Sequence, residues 1–292
     1  MTRLHPDRPP TSGVPHALCE GVVRLTAPNP GRMTGPGTNS YLLGNSKHGF
    51  VVVDPGPALA VHTEALLAHS VDTAGRGGFI HAIVCTHSHA DHAPGAWPLQ
   101  QGVAALGRPA PPVWGLPSGP HARPGCHFLP DQVAVDGAQL ALPHGLPSIE
   151  FLYTPGHASN HLCLCLPDAA HSVVLSGDHV LQGSSTVIDP PDGNMGDYLA
   201  SLEKLSNACT HKGITHILPA HGGVIAAPVQ AIQALRAHRS AREATIRAAM
   251  QAQPHGTPES WLPIAYADVA PALWPVAMRS LLAHIEHIQK IH

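Results

Sequence analysis

Cys85-Thr86-His87-Ser88-His89-Ala90-Asp91-His92 places three imidazoles and one carboxylate within the six residues from His87 to His92. Unpaired, such a cluster is costly to bury. The apolar run Ile80-His81-Ala82-Ile83-Val84-Cys85 before it reads as a short buried strand, and Ala93-Pro94-Gly95 after it marks where a helix can begin. The cluster therefore occupies a strand-to-helix turn. On a tightly turned backbone His87 and His89 can point to one side while Asp91 and His92 reach a second point nearby, so one loop can serve two metals. Neutral imidazole nitrogen and carboxylate oxygen are donors that Zn²⁺ accepts. The chain holds 24 histidines, which makes chance clusters easier, so a histidine-rich surface loop is the competing interpretation. Further ligands elsewhere in the chain decide between the two.

His87-Ser88-His89-Ala90-Asp91-His92 resembles the H-x-H-x-D-H signature of the metallo-β-lactamase superfamily. Three further ligand loops are implied by that resemblance, and each has a counterpart in family order. Tyr153-Thr154-Pro155-Gly156-His157 is similar to the third-histidine loop, Leu175-Ser176-Gly177-Asp178 to the bridging aspartate, and Ile217-Leu218-Pro219-Ala220-His221-Gly222 to the last histidine. Every one follows an apolar, strand-like run. Loops at the ends of buried strands are where a rigid sheet can hold ligands in fixed geometry.

The resemblance implies an αββα sandwich, α/β in class, with His87, His89 and His157 on a first metal, Asp91, His92 and His221 on a second, and Asp178 between them. It also implies two Zn²⁺ per chain, with Mn²⁺ or Fe²⁺ compatible with the same donors. Two cations on one water lower its pKa from about 15.7 towards neutrality, giving a metal-bridging hydroxide as nucleophile and stabilising charge on the attacked oxygen. Asp91, Asp178 and His161 are the candidate catalytic residues. For His161, four residues after His157, orienting substrate or protonating a leaving group is set against simple packing. His179 carries the same question.

The remaining composition bounds the class. In 292 residues, 43% hydrophobic content and 12% charge provide for a large core, as in one big domain with a small appendage. A net charge of −3 gives no global basic field to draw in polyanions, and aromatics at 4% leave few platforms for base stacking. No apolar run has the length to cross a bilayer, and the proline-rich start lacks a signal-peptide core, so a cytoplasmic protein without membrane contact is expected. Six scattered cysteines, with no C-x-x-C pair, read as buried thiols.

Residues 1–20 are expected to be a flexible arm, 21–227 the catalytic domain and 228–292 a small helical subdomain resembling a truncated winged helix. Val22 to Leu25 is expected to be the first strand. The Gly- and Pro-rich loop from Asn29 to Tyr41 is a candidate for substrate contact. Phe50 to Val53 reads as a strand ending at Asp54, which the resemblance places behind a metal-binding histidine. Ala58 to His69 and Ala93 to Val103 have helical periodicity, and Val133, Val135 and Leu140 suggest an antiparallel pair about Asp136-Gly137. Beyond Pro228 one long helix is expected, with Val229, Ile232, Leu235, His238, Ile246 and Met250 inward and Arg236, Arg239, Arg242 and Arg247 outward. A helix start at Thr257-Pro258 and a last helix from Ala272 to Ile291 follow.

Within the superfamily, Asp178 excludes β-lactamases that need a cysteine at that position, and the chain lacks the long insertions of the processing nucleases. After His221 it departs from glyoxalase II. Gly37-Thr38-Asn39-x-Tyr41, Pro219-x-His221-Gly222-x-Val224-Ile225 and His238-Arg239-Ser240-Ala241-Arg242-Glu243 are instead similar to the branch containing the mitochondrial β-lactamase-like endoribonuclease, without its basic tail. The expected activity is dinuclear hydrolysis of a small ester, thioester, lactone or amide. Cleavage of single-stranded RNA is the alternative, and a small molecule the expected partner.

Overall fold

Alternation of side chains along the strands builds the molecule in four layers. The computed structural model describes residues 8–71, 78–143, 145–167 and 172–291. One sheet runs in spatial order through β1 (His16–Cys19), β2 (Val22–Thr26), β3 (Asn39–Asn45), β4 (Gly49–Val53), β5 (Ile80–Val84), β6 (Val113–Gly115) and β7 (Gln132–Val133). The second runs β13 (Ile225–Ala226), β12 (His216–Pro219), β11 (Val173–Gly177), β10 (Leu162–Leu166), β9 (Ile149–Tyr153), β8 (Gln139–Leu140). Tyr41, Leu43, Val51 and Val53 point between the sheets, against Phe151, Leu162, Leu164 and Leu175. Their neighbours Leu42, Phe50 and Val52 point the other way, onto helices α1 (Ala60–Ser70) and α2 (Ala96–Ala105). Cys163, Cys165 and Val174 likewise face outward, onto α3 (Met195–His211) and α4 (Pro228–Ala252). Strands buried on both faces need apolar residues at every position, which is why these runs read as continuous rather than alternating. Each such Leu, Val or Phe contributes about 1.5–3 kcal/mol relative to exposure. This is the αββα sandwich expected from the sequence, and all six cysteines are buried and unpaired.

Two strand expectations are corrected. Residues 16–19, assigned to the arm, form β1 and pair antiparallel with β2, because Leu18 and Cys19 have a core to enter. The first seven residues of that arm lie outside the described residues. The antiparallel pair expected around Asp136-Gly137 does not form. β7 joins β6 in the first sheet and β8 joins β9 in the second, so the turn crosses between layers. Ala134 and Leu140 both enter the core between the sheets, and burial rather than local pairing sets their course. In α2, Pro98 sits in the first turn, where its missing N–H has no intrahelical partner to lose.

The C-terminal part is helical: α5 (Pro258–Ala265) and α6 (Trp274–Ile291) pack against α4, and a 3-10 turn at Pro271–Leu273 leads into α6. Thr257 caps α5 in a reciprocal capping box with Ser260. The stripe expected on α4 holds at Ile232 and Ile246 and fails at one place: His238 is exposed and Arg239 is buried, at 3% exposure. Its guanidinium lies 5.5 Å over the Tyr198 ring and donates to the Thr186 carbonyl. No helix among the described residues is long and apolar enough to cross a membrane.

Candidate metal centre

Four loops converge at one end of the sandwich. The β5–α2 loop supplies His87, His89, Asp91 and His92, the β9–β10 loop His157, and the residues just after β11 and β12 supply Asp178 and His221. All seven ligand positions expected from the sequence are brought together, in two groups whose donor atoms lie within 4.8 Å of one another. One is His87, His89, His157 and Asp178; the other is Asp91, His92 and His221. Asp178 faces both: its Oδ2 is 3.4 Å from His157 Nε2 and its Oδ1 3.2 Å from His221 Nε2.

Backbone and carboxylate acceptors fix which nitrogen each ring presents. His157 Nδ1–H donates to the Val187 carbonyl at 2.8 Å and His221 Nδ1–H to the Gly37 carbonyl at 3.2 Å. Asp54 acts on two rings. Its Oδ2 accepts from His92 Nδ1–H at 2.9 Å and from the Thr86 hydroxyl at 2.8 Å, while Oδ1 accepts the Thr86 N–H at 2.7 Å. With its proton on Asp54, Thr86 Oγ1 can only accept from His87 Nδ1–H, 3.0 Å away. Asp54 itself has a left-handed backbone, φ 47°, a conformation that turns its carboxylate back over β5 and that recurs at functional positions. The expected placement of Asp54 behind a ligand histidine is met.

The consequence is a set of bare lone pairs aimed at common points. His87 Nε2 and His157 Nε2 each lie 3.0 Å from His89 Nδ1. A proton on His89 Nδ1 could satisfy one of them and would leave the other facing a filled donor. His92 Nε2 and Asp178 Oδ1 are buried with no hydrogen-bond partner. Nitrogens held at 2.0–2.1 Å around a tetrahedral Zn²⁺ are roughly 3.4 Å apart, so this spacing suits a cation of that size. The donor set fits a metal, and His and Asp side chains form the metal-binding site.

His161 does not take the catalytic place expected for it. It is fully buried. Its Nε2 accepts the Asp178 backbone N–H at 3.1 Å, and its Nδ1–H donates to Thr154 Oγ1 at 3.0 Å. Burial, then His179 and His157, hold its pKa well below the ordinary histidine value, as an accepting ring requires. It positions Asp178 from behind. Gly177 must be glycine here: at φ 50° a Cβ would lie 2.6 Å from His161 Nε2 and 2.9 Å from Thr86 Oγ1. His179 is also fully buried, edge-on to Tyr198, and away from the cavity.

Several contributors carry no side-chain signature in the sequence. The carbonyls of Val187 and Gly37 orient ligand histidines, and Thr186 Oγ1 donates to the Asp178 carbonyl at 2.5 Å. Arg239, through the Thr186 carbonyl, fastens that segment to α4. A cavity of about 400 Å³ opens over the ligands. The Asn29–Tyr41 loop reaches it through Arg32, Met33 and Thr34, and the C-terminal helices through Leu273, Val276 and Arg279.

A family model described as the Metallo-beta-lactamase superfamily matches residues 33–208. The beta-lactamase-like protein 2 homolog of Caenorhabditis elegans is 31% identical over 232 residues, 78% of this chain and 70% of that protein. An atrochrysone carboxyl ACP thioesterase of Aspergillus fumigatus is 28% identical over 251 residues, 86% of this chain and 70% of that protein. Among solved structures, a beta-lactamase domain protein from Burkholderia ambifaria has the same fold, with a TM-score of 0.73 at 22% identity over 97% of this chain and 90% of that one.

Proposed function

The chain belongs to the metallo-β-lactamase superfamily of metal-dependent hydrolases, and on that premise we propose that it holds two Zn²⁺ ions and hydrolyses a small acyl ester, with thioesters foremost. The observation that carries the dinuclear reading is Asp178, one carboxylate presenting an oxygen to each ligand group. Five imidazoles and two carboxylates suit Zn²⁺. When bound, the ions supply a water acidic enough to attack as hydroxide near neutral pH and Lewis-acid stabilisation of the developing oxyanion.

The chain's own residues set the substrate. Met33, Leu181, Val187, Leu273 and Val276 give the cavity apolar walls that exclude water from a bound acyl group. Its histidines, His89, His157 and His221, are all in the ligand set, so among the described residues no further imidazole lines the cavity to protonate a leaving group. An amine must be protonated to leave, whereas a thiol with a pKa near 8.5 departs readily as thiolate. That ordering agrees with the thioesterase among the chain's relatives. The arginines of α4, which an RNA-binding surface would need free, are engaged within the chain. Arg236 pairs with Glu203 and Arg242 with Asp268, Arg247 pairs with Glu243, and Arg239 is buried. The test is turnover of a thioester panel and of a single-stranded RNA by zinc-loaded protein across a salt series. Thioester hydrolysis nearly indifferent to salt is expected. RNA cleavage that falls steeply with salt, without acyl turnover, overturns the proposal.

The two ligand groups should also differ in their response to pH. Burial, with neighbouring imidazoles, holds His87 well below its ordinary pKa, and burial above all takes His89 to about 3 and lowers His157, so all three are neutral at pH 7. Burial opposes protonation of His92 and His221 as well. At His92 the carboxylates of Asp91, Asp178 and Asp54 outweigh it, and at His221 that of Asp178, lifting His221 to about 10. Those two rings carry protons that a metal must displace, while the first three do not. One Zn²⁺ binding step is therefore expected to be flat across neutral pH and the other to tighten about tenfold per pH unit for each proton released. Calorimetry in buffers of different ionisation enthalpy counts those protons; equal proton release in both steps contradicts the assignment.

A further inference from the structure

Three segments far apart in sequence bring guanidinium groups to the wall of the cavity: Arg32 from the β2–β3 loop, Arg123 from the β6–β7 loop and Arg279 from α6. Asp189 is shared between two of them. Arg123 pairs with its Oδ2, and Arg279 Nη1 lies 3.9 Å from the same atom. Burial and then the neighbouring Arg279 both lower the Arg123 pKa, the mark of two like charges held close. Among the described residues Arg32 has no ion-pair partner. The other carboxylate on the wall, Asp192, accepts from the Ser159 hydroxyl at 2.6 Å. Outside the metal ligands the cavity thus carries three cations against two anions, beside the apolar surfaces of Leu273 and Val276. Chelating metal would add further positive charge. A ligand with an apolar chain and an anionic end matches that wall in both respects.

We propose that Arg32, Arg123 and Arg279 form a recognition site for an oxyanion carried by the substrate, so that the preferred thioester bears either a carboxylate on its acyl chain or a phosphate on its thiol. The inference rests on the hydrolase assignment above. Guanidinium groups recognise both oxyanions by the same forked hydrogen bonding, and the substrate pair distinguishes the sources. RNA phosphates share that chemistry, but the apolar half of the wall has no use in a polynucleotide site.

The experiment uses zinc-loaded protein and three short-chain thioesters: a neutral acyl group on N-acetylcysteamine, its counterpart ending in a carboxylate, and the neutral acyl group on coenzyme A. Thioether analogues of all three, which cannot be hydrolysed, are measured for binding by calorimetry. Wild type is expected to favour one or both anionic compounds over the neutral one by about tenfold or more, in kcat/KM and in Kd. Arg279→Gln should reduce that preference about tenfold, chiefly through KM. Arg236→Gln, altering an arginine on α4 that pairs with Glu203 and does not line this cavity, should leave it intact. A preference for the carboxylate compound assigns the oxyanion to the acyl chain, and one for the coenzyme A compound assigns it to the thiol. Equal binding of neutral and anionic analogues by wild type, or a preference that survives Arg279→Gln, overturns the inference. So does an Arg279→Gln defect confined to RNA. Anion-selective analogue binding without turnover of any thioester would leave this site standing and remove the hydrolase assignment alone.

Discussion

Asp178→Ala is expected to lower kcat/KM for thioester hydrolysis by about three orders of magnitude or more, roughly 4 kcal/mol of lost transition-state stabilisation, and to leave no more than one metal per chain. The size follows from the two oxygens of this side chain, which face His157 on one side and His221 on the other. Removing it withdraws an anionic donor from both ligand groups at once. The backbone should hold its course, because the Asp178 N–H is taken by His161 Nε2 and its carbonyl by Thr186. The response of stability to metal separates the chemical loss from a folding defect. In metal-free protein the Asp178 carboxylate is the counter-charge of protonated His221, 3.2 Å away, so the alanine variant should unfold earlier at neutral pH, and the difference should shrink as pH rises towards about 10 and that ring loses its proton. The extra stability conferred on wild type by added Zn²⁺ should disappear as well. A variant that keeps two metals and most of its activity would assign Asp178 a structural role instead.

What the sequence disclosed about this centre divides along a physical line. Ligands are side chains of restricted type at strand ends, and the resemblance of four short motifs to the metallo-β-lactamase pattern implied all seven. Asp54 was legible for the same reason. The groups that aim the ligands were not, because the carbonyls of Val187 and Gly37 belong to every residue type alike. His161 was visible as a histidine near the motif, but its work is done on the backbone N–H of Asp178, a partner 17 residues away that no local pattern reveals. Arg239 shows the limit of periodicity. An arginine on a helix is ordinarily solvated, and this one is buried because the Tyr198 ring and the Thr186 carbonyl, from other elements, offer its charge a partner and its plane a surface. The αββα layers were recoverable because double-sided burial writes itself into continuous apolar runs. β7 and β8, two residues each, were not, since such short pieces take their sheet from the core they enter.

Asp54→Asn tests whether that outer layer governs the metals, and it is expected to weaken zinc binding about 10–100-fold while costing less stability than Asp54→Ala. The carboxylate accepts from three donors, the Thr86 N–H and hydroxyl and His92 Nδ1–H. Alanine leaves all three buried and unmet, a loss of about 1–3 kcal/mol for each that finds no substitute. Asparagine can keep its oxygen on the Thr86 N–H, which cannot turn away. Its amide then occupies the place of Oδ2 and donates towards His92 Nδ1. The Thr86 hydroxyl can rotate, but the imidazole can accept that bond only by moving its own proton to Nε2, the atom that faces Asp91 and Asp178 at 3.5 and 3.6 Å. In the neutral ring a single oxygen-to-nitrogen exchange thereby favours the tautomer whose proton lies where a metal must sit. Zinc affinity, measured by competition with a chromophoric chelator, should fall in Asp54→Asn by the same factor across pH, because reversing that tautomer releases no net proton. Wild-type affinity in this variant would mean that the tautomer of His92 is set by the metal itself, and that Asp54 serves only to anchor the Thr86 turn.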